Sequence, residues 1–186
     1  VISQKFNVET QAGIIPICIK DDQIIVDMGP PIFLPEKIPT TFPVNESGIP
    51  QGVISISNQD LLVYSCSMGN PHAIIEVPSL RNVPLYEWGK SIETNPIFPN
   101  YTNVHFVQIN SFNEIEILIW ERGCGATLAC GTGACACVAI LSKLGKCNDR
   151  ILVKLPGGNL TIHWPGKKGS ILMIGDAEYV YSGSLS

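Results

Sequence analysis

Residues 121–134 read ERGCGATLACGTGA, and this stretch decides the fold. A charged pair, Glu121-Arg122, follows a strand-like apolar run, and four glycines then interrupt the chain on both sides of Cys130. Residues 133–144 are almost wholly apolar, which predicts a buried helix that Gly145 ends. Cys130 is therefore expected at the end of a glycine-rich loop, just before the N-terminus of a buried helix.

The N-terminus of a helix suits both an anion and a reactive thiol. The first N–H groups of a helix lack intrahelical acceptors and carry partial positive charge, so they can bind a carboxylate. The same field is expected to lower the pKa of the Cys130 thiol from about 8.5, so that thiolate is available near neutrality. Gly131 and Gly133 let a ligand approach the backbone closely. We therefore predict a reactive Cys130 beside a carboxylate-binding cradle.

Other uses of this segment fit the residues less well. Free cysteines are often simply buried, and we predict packing roles for Cys135 and Cys137 within the helix. The segment lacks the paired cysteines of structural zinc sites, so no metal is predicted. No Gly-Lys-Ser/Thr ends the glycine run, which excludes a P-loop. Residues 123–142 are uncharged, but their glycines disfavour a membrane-spanning helix.

Composition indicates a globular chain. Of 186 residues, 45% are hydrophobic and 15% are charged, which excludes a disordered chain. The net charge of −4 argues against a nucleic-acid partner. Seven cysteines, five of them crowded between positions 124 and 147, predict free thiols in a reducing compartment rather than a disulfide framework.

The rest of the chain predicts short strands and one further helix, at residues 83–93. Because the strand blocks flank the helices without a βαβα alternation, the predicted class is α+β. The predicted strands are residues 6–10, 14–20, 23–28, 52–57, 61–67, 73–77, 103–110, 115–121, 151–155, 159–164, 170–174 and 177–181.

Two motifs carry a resemblance to a known family. The pattern at 121–134 resembles the C-terminal signature of the diaminopimelate epimerase family, and SMGNPH at 67–72 resembles its second signature. Residues 26–31 and 175–180 match the flanking segments, so the resemblance runs from end to end. Ala126 stands where many bacterial members have an acid, which is similar to cyanobacterial and plant-like members.

The resemblance implies a cofactor-independent isomerase that interconverts LL- and meso-diaminopimelate, for lysine and peptidoglycan precursor biosynthesis. It implies two similar α+β lobes, each a mixed, largely antiparallel sheet wrapped around a central buried helix. Two cysteines, one per lobe, would face opposite sides of the substrate α-carbon. The implied partner is the small-molecule substrate, with no nucleic acid, membrane, cofactor or metal. A homodimer in the cytoplasm, or in the plastid stroma of a plant or alga, is also implied.

The resemblance assigns the reacting end of the substrate to the loop and helix. Cys130 would be the catalytic cysteine of the C-terminal lobe. Gly131 and Thr132 would offer N–H groups to the α-carboxylate, where they stabilise the enolate-like charge that develops as the proton leaves. Glu121 matches a residue near the substrate amine and the thiols.

Other residues would hold the rest of the substrate. Arg122 and Asn103 match positions that recognise the distal carboxylate, and Asn70 lies among the same contacts. His72 matches a residue that helps to poise a cysteine, and a histidine is a plausible proton partner near neutral pH.

Taken without the resemblance, some of these residues have simpler explanations. His72 could cap a loop, Glu121-Arg122 could be a solvated strand end, and the asparagines Asn70 and Asn103 could satisfy turn backbone. His105 and His163 have no motif support, and structural roles are predicted for both.

The chain departs from the family pattern in length. The family's other cysteine lies in a motif of the Cys-Gly-Asn-Gly type, which residues 1–186 lack. Together with the first residue, Val1, this predicts a truncated chain that is inactive alone. We expect residues 1–16 to be the last strands of the other lobe, 17–174 the C-terminal lobe, and 175–186 a tail returning to the other lobe. Cys66, outside any anion cradle, is not expected to replace the absent base.

Three alternatives remain open at this point. One is another cofactor-independent racemase of the same fold, acting on proline, hydroxyproline or histidine; Arg122 with Asn103 favours a substrate that has a second carboxylate. A second is a phenazine-synthesis-type isomerase, which Cys130 at the base position disfavours. The third is a non-catalytic fragment or binding module.

Overall fold

The computed structural model describes residues 4–11 and 13–184, and within them one sheet and two α-helices form the molecule. The strands are β1 (Gln4–Thr10), β2 (Gly13–Lys20), β3 (Gln23–Asp27), β4 (Gln51–Ile56), β5 (Gln59–Ser67), β6 (Pro71–Glu76), β7 (Asn103–Ser111), β8 (Glu114–Glu121), β9 (Gly125–Ala126), β10 (Arg150–Leu155), β11 (Gly158–His163) and β12 (Leu172–Gly175). The helices are α1 (Leu85–Glu93) and α2 (Gly131–Lys143), with short 3₁₀ helices at Pro35–Lys37, Leu80–Asn82 and Pro165–Lys167.

The sheet is open and mixed. Its strand order is β1-β2-β3-β12-β11-β10-β8-β7-β6-β5-β4, and β9 pairs with β8. The pairs β6–β7 and β8–β10 are parallel and the other pairs are antiparallel. The predicted α+β class, with a mixed and largely antiparallel sheet, is confirmed.

Helix α2 is the centre of the larger core. Every residue from Gly133 to Ser142 is buried, and such all-round burial is expected of a helix without a polar face. It packs against apolar side chains of β5 to β8, β10 and β11. Gly145 has a φ of +72° and ends the helix, with hydrogen bonds from its N–H to Ser142 and from Lys146 N–H to Leu141. The predicted central helix is confirmed, and it begins two residues earlier than expected.

Helix α1 covers the opposite face of the sheet. Trp88 and Ile92 pack there with Phe106 of β7 and Trp120 of β8 in a second core cluster. The approach is close, because a Cβ on Gly89 would lie 2.6 Å from the Trp120 ring. This cluster fixes the C-terminal end of β8, just before the loop that leads to α2.

The topology brings the chain segments of both signatures together at one end of strands β6, β7 and β8. Because β6 and β7 are parallel, both begin at this end of the sheet. Because β8 is antiparallel to β7, it ends there. The two-residue repeat of a strand puts His72, His105 and Glu121 on the face that meets α2. The loop after β8 then leads directly to the N-terminus of α2.

One predicted strand is wrong. Residues 177–181 are irregular and lie along no neighbouring strand, although their sequence alternates, and Tyr179 and Val180 are 81% and 83% exposed. Both neighbours of the preceding strand, β12, are already β3 and β11, so that region of the sheet has no edge at which a further strand could pair.

The predicted segment limits, after residues 16 and 174, stay predictions. β2 runs without interruption through the expected boundary after residue 16, and β12 ends at Gly175. Residues 1–3 and 12 of the first predicted segment, and 185–186 of the last, lie outside the described residues. Among the described residues, neither α-helix has the length and apolar character needed to cross a membrane.

Candidate active site

Cys130 is the N-cap residue of α2. Its backbone is extended (φ −147°, ψ 103°), and the helix starts at the next residue, Gly131. The Cys130 residue is only 5% exposed. Its Sγ lies 3.6 Å from the hydroxyl of Thr132. The N–H groups of Gly131 and Thr132 belong to the first helical turn, which has no intrahelical acceptors for them, and this turn starts directly after the sulfur-bearing residue.

The expected low pKa of Cys130 is wrong. Burial raises the pKa of its thiol to about 11, and the nearby Glu121 carboxylate adds to the rise by charge and by hydrogen bonding. The Thr132 hydroxyl and the Gly133 N–H act in the opposite direction, as expected for the start of a helix, but they do not outweigh desolvation. In this structure Cys130 is therefore a thiol at neutral pH.

Glu121 and Arg122 end β8 and open the loop. The main chain turns here, with the Cys124 N–H donating to the Glu121 carbonyl at 3.0 Å. Glu121 is half-buried and faces Cys130, whereas Arg122 is exposed and donates from Nη1 to the Asn100 carbonyl at 3.0 Å. One contact to a carbonyl leaves most of the five guanidinium N–H groups available to a ligand.

Asn103 connects the two signatures through their backbones. Its Nδ2 donates to the Pro71 carbonyl at 2.9 Å, and its Oδ1 accepts the Arg122 N–H at 3.0 Å. The residue is 4% exposed. Asn103 thus holds Arg122 against the start of β6. Because both ends of its amide are engaged by the main chain, this geometry favours an indirect role for Asn103 in carboxylate recognition.

His72 is buried and paired rather than a cap on an exposed turn. Its Nδ1 lies 2.9 Å from Nε2 of His105, and its Nε2 lies 2.9 Å from Oδ1 of Asn70. Burial, followed by the charges of His105 and Arg122, holds the pKa of His72 well below its usual value. The expectation of a proton partner that titrates near neutrality is therefore wrong for this structure: His72 is neutral.

Asn70 completes a polar chain that ends at Cys130. Its Nδ2 lies 3.5 Å from the Thr132 hydroxyl, which in turn contacts Cys130 Sγ. The second signature, from β6, and the C-terminal signature, from α2, therefore meet in one connected set of polar side chains.

The segments that build this set also carry a family match. The family model described as diaminopimelate epimerase matches residues 64–180, which include every candidate site residue. The chain belongs to the diaminopimelate epimerase family.

Relatives named diaminopimelate epimerase are similar to this chain along nearly its whole length. The relative from Prochlorococcus marinus (strain MIT 9313) is 49% identical over 98% of this chain and 61% of its own length. The one from Microcystis aeruginosa (strain NIES-843) is 42% identical over 98% of this chain and 65% of its own length. This member of the family thus spans less than two thirds of the length of the curated relatives it matches.

Solved structures share the fold at low sequence identity. A hydroxyproline epimerase from Agrobacterium vitis superposes with a TM-score of 0.65 at 16% identity, over 94% of this chain and 57% of that one. A putative phenazine biosynthesis PhzC/PhzF protein from Clostridium difficile (strain 630) gives 0.62 at 15% identity, over 98% and 65%. These neighbours confirm the diaminopimelate-epimerase-like fold of the lobe.

Two buried residues at the site of this family member were missed from the sequence. His105, for which only a structural role was predicted, is fully buried and pairs with His72. The two-residue repeat of β7 puts it on the inner face with Val107, so the signal was available once β6 and β7 were known to be neighbours.

Glu93, at the end of α1, is the second missed residue. Its Oε1 accepts the Gly123 N–H at 2.8 Å, and its Oε2 accepts from Trp120 Nε1 at 2.9 Å and from Lys90 at 3.2 Å. Burial alone would raise the pKa of this carboxyl, but the hydrogen bonds from Trp120 and Gly123 and the Lys90 charge lower it. Glu93 anchors the glycine-rich loop, and no local sequence pattern announces such a long-range contact.

The other inner cysteines lie beneath the site, away from solvent. Cys66, Cys135 and Cys137 are fully buried, and burial raises the pKa of each thiol, to about 12 for Cys135. Cys66 Sγ approaches the Ala136 carbonyl at 3.8 Å, below α2. These are packing positions, as predicted for Cys135 and Cys137. Within the described residues, no three His, Cys, Asp or Glu side chains converge in a way that could hold a metal ion.

Proposed function

We propose that this chain forms one side of the active site of a diaminopimelate epimerase, with Cys130 as the proton carrier on one face of the substrate α-carbon. The observation that carries the proposal is a thiol at the N-cap of a buried helix, beside a carboxylate and two helix N–H groups without intrahelical acceptors. The family membership supplies the substrate class, and the geometry supplies the assignment of groups.

The α-carboxylate of the substrate would bind at the N-terminus of α2. Hydrogen bonds from the Gly131 and Thr132 N–H groups strengthen as negative charge spreads from the α-carbon into the carboxylate, so they favour the deprotonated state over the ground state. Gly131 leaves room for the Met173 side chain, because a Cβ there would lie 2.7 Å from the Met173 sulfur.

Cys130 acts first as a proton donor, because its raised pKa makes it a thiol at rest. A carrier on the opposite face takes the α-proton, Cys130 delivers its own proton to the near face, and the carbon is inverted. The resulting Cys130 thiolate is the base that the reverse reaction needs. The first-turn N–H groups stabilise this thiolate once bound substrate has excluded water.

Glu121 would bind the substrate ammonium group. An ammonium beside this carboxylate offsets its charge, which otherwise disfavours a Cys130 thiolate. Substrate binding therefore eases deprotonation of Cys130 in the direction that requires it. The positive charge of the bound ammonium group thus stabilises the Cys130 thiolate.

Arg122 favours a substrate with a second carboxylate. Asn103 and Asn100 fix its backbone and guanidinium. A guanidinium held in this way can bind a carboxylate through two parallel hydrogen bonds. Proline and hydroxyproline have no distal carboxylate, so this residue separates the proposal from a racemase that acts on them. Asn70, next to Thr132, completes the substrate contacts.

The opposite-face carrier would come from outside residues 1–186. Among the described cysteines on the inner face, Cys66, Cys135 and Cys137 are buried with raised pKa values. In line with this, we propose that residues 1–16 and 175–186 pack against another lobe, and that the chain alone does not epimerise. The exposed apolar residues Phe6, Ile14, Tyr179 and Val180 in these segments support a covering lobe.

A chimaera tests the function. The N-terminal part of the Prochlorococcus marinus relative joined to residues 1–186 is expected to convert LL- to meso-diaminopimelate, with one solvent deuteron incorporated per inversion in D₂O. The isolated chain is expected to give no inversion. A chimaera that racemises proline or hydroxyproline but leaves diaminopimelate unchanged would refute the proposal in favour of the related racemases.

Two further properties stay predictions. A homodimer is expected of the whole enzyme, and light scattering on the chimaera would measure its mass. The cytoplasm, or the plastid stroma of a plant or alga, is the expected compartment, and cell fractionation would test it.

A further inference from the structure

Only one set of tautomers satisfies the hydrogen bonds of the buried His72 and His105 rings. His72 has a partner at each ring nitrogen, namely His105 Nε2 at Nδ1 and Asn70 Oδ1 at Nε2. His105 has a partner only at Nε2, and its Nδ1 is buried without a hydrogen-bond partner among the described residues. In each neutral ring, one nitrogen carries the proton and the other accepts.

The unpartnered Nδ1 of His105 decides the direction of the hydrogen bonds. If His105 carried its proton on Nδ1, a buried N–H donor would have no acceptor, which is rare and costly in folded proteins. The proton is therefore on His105 Nε2, which donates to His72 Nδ1. His72 must then carry its own proton on Nε2, and this N–H donates to Asn70 Oδ1.

This direction continues to Asn70. An amide whose oxygen accepts from His72 must turn its NH₂ group the other way, towards the Thr132 hydroxyl at 3.5 Å. The hydroxyl lies beside Cys130. If both rings carried their protons on the opposite nitrogens, Asn70 would turn over and present its oxygen to the site instead.

We infer that His105 is a positioning residue: its Nε2–H fixes the tautomer of His72, and this tautomer turns the Asn70 amide so that its NH₂ group faces the substrate carboxylate site at Thr132. The inference rests on the proposed function only for what binds there. The hydrogen-bond direction itself needs no substrate.

Two features of the surroundings support this role. The charged or titratable groups that act on His72 are His105 from β7 and Arg122 from the end of β8, and both disfavour a second proton on the ring. Burial lowers the pKa of His105 to about 3, so this ring is also neutral. A neutral pair has one proton on each ring, and the unpartnered Nδ1 of His105 then selects a single direction.

The position of His105 is also fixed sterically. A Cβ on Gly133 would lie 2.1 Å from Cε1 of His105, so the ring packs directly on the backbone of the first turn of α2. The ring cannot turn over without losing the His72 contact. The helix that carries Cys130 thus holds in place the residue that sets the hydrogen-bond direction.

The direct test is the tautomer of each histidine in the chain as it exists. Long-range ¹H–¹⁵N correlation spectra of the ¹⁵N-labelled protein distinguish protonated from unprotonated ring nitrogens, and the three single His→Gln variants assign the signals. We expect His72 and His105 both as the Nε2–H tautomer. His72 protonated on Nδ1 would overturn the inference. H163Q is the matched control, because His163 lies far along the chain in β11, and it should leave both tautomers unchanged.

Substitution of His105 tests whether the hydrogen bonding of His72 depends on it. In H105Q the amide NH₂ can still donate to His72, so His72 should keep its tautomer. In H105L the donor is lost, so the unprotonated Nδ1 of His72 should lose its hydrogen bond and its ¹⁵N chemical shift should move to that of a ring nitrogen without a donor partner. An unchanged His72 in H105L would contradict a positioning role. If H105L does not fold, the wild-type and H105Q spectra still decide the question.

Activity separates this inference from the proposed function. In the epimerising chimaera, H105L should lose turnover while H105Q retains it. A chimaera that is inactive with the native His105 in place would contradict the proposed function. The spectra of the isolated chain would still confirm or refute the role of His105.

Discussion

The ring of His105 rests on the backbone of Gly133, at the first turn of the central helix. A Cβ on Gly133 would lie 2.1 Å from Cε1 of that ring, closer than any side chain can approach, and His105 is fully buried. A residue that sequence motifs did not identify thereby determines how closely the glycine-rich signature can approach the sheet. The glycine is required here for space, because its φ lies outside the positive range.

Gly133→Ala should therefore destabilise the protein. The new methyl group has to displace His105 or the start of α2, and overpacking of this kind costs about 1–3 kcal/mol. The measurement is the free energy of unfolding in urea. Gly131→Ala is the matched control two residues earlier, where the Cβ would meet only the flexible end of Met173. Equal losses in both variants would contradict the account.

Glu93→Ala should loosen the loop that carries Glu121 and Arg122. The substitution leaves Trp120 Nε1–H and the Gly123 N–H without their acceptor, at a cost of about 1–3 kcal/mol for each group that stays buried. We expect lower unfolding free energy together with faster amide exchange at Gly123. Glu87→Ala, on an exposed part of the same helix, is the control and should change little. Normal protection of the Gly123 amide in Glu93→Ala would argue against the anchor.

The same carboxylate predicts a pH dependence of stability. Its pKa is lowered in the folded protein, because the hydrogen bonds and the Lys90 charge outweigh burial. The contribution is therefore present above the unfolded-state pKa, about 4.3, and is lost as pH falls through the lower folded-state value. Urea unfolding between pH 7 and pH 3 should show a steeper acid loss for wild type than for Glu93→Gln. Parallel curves would contradict this assignment.

The Cys130 thiol should ionise only at alkaline pH. Because its pKa is raised to about 11, alkylation at Cys130 should keep accelerating above pH 9 instead of reaching a plateau near neutrality. Glu121→Gln removes a group that raises the pKa, so modification at pH 8 should become faster. Peptide mass spectrometry follows modification of Cys130, and a Cys124→Ser background removes the exposed thiol six residues earlier. A plateau below pH 8 would restore the lower pKa expected from the helix terminus alone.

Arg122→Lys should affect binding more than chemistry. The substitution keeps the charge but removes the planar pair of donors, which is worth about 1.5–3 kcal/mol for hydrogen bonds to a charged group. In the chimaera, KM for diaminopimelate should rise about tenfold to a hundredfold with a smaller change in kcat. Because Arg122 is exposed, the melting temperature should stay close to wild type. An unchanged KM would remove Arg122 from the substrate site.

Local patterns in the sequence predicted what depends on neighbours along the chain. Helix α2, its end at Gly145 and the place of Cys130 just before the helix follow from an apolar run and glycine placement, and all three are confirmed, although the helix begins two residues earlier than predicted. The strand at 177–181 is wrong because alternation cannot reveal that the preceding strand, β12, already has a neighbour on each side.

What depends on contacts distant in sequence was missed or misjudged. The pairing of His72 with His105 and the anchoring of Gly123 by Glu93 join residues about thirty positions apart. The pKa of Cys130 was misjudged for the same reason. The helix field is local and was foreseen, whereas burial and the Glu121 carboxylate arise from packing of the whole lobe and outweigh it.

The most direct test of the account is deuterium incorporation by the chimaera with Cys130→Ala beside Cys135→Ala. Both positions lie on the same helix, but Cys135 is fully buried and has only a packing role here. Proton transfer by a positioned group contributes about a hundredfold to ten-thousandfold, so Cys130→Ala should lose inversion, and the deuterium uptake that accompanies inversion, by a factor in that range. Cys135→Ala should keep both. If Cys130→Ala inverts diaminopimelate at the wild-type rate, Cys130 is not a proton carrier and the account is contradicted.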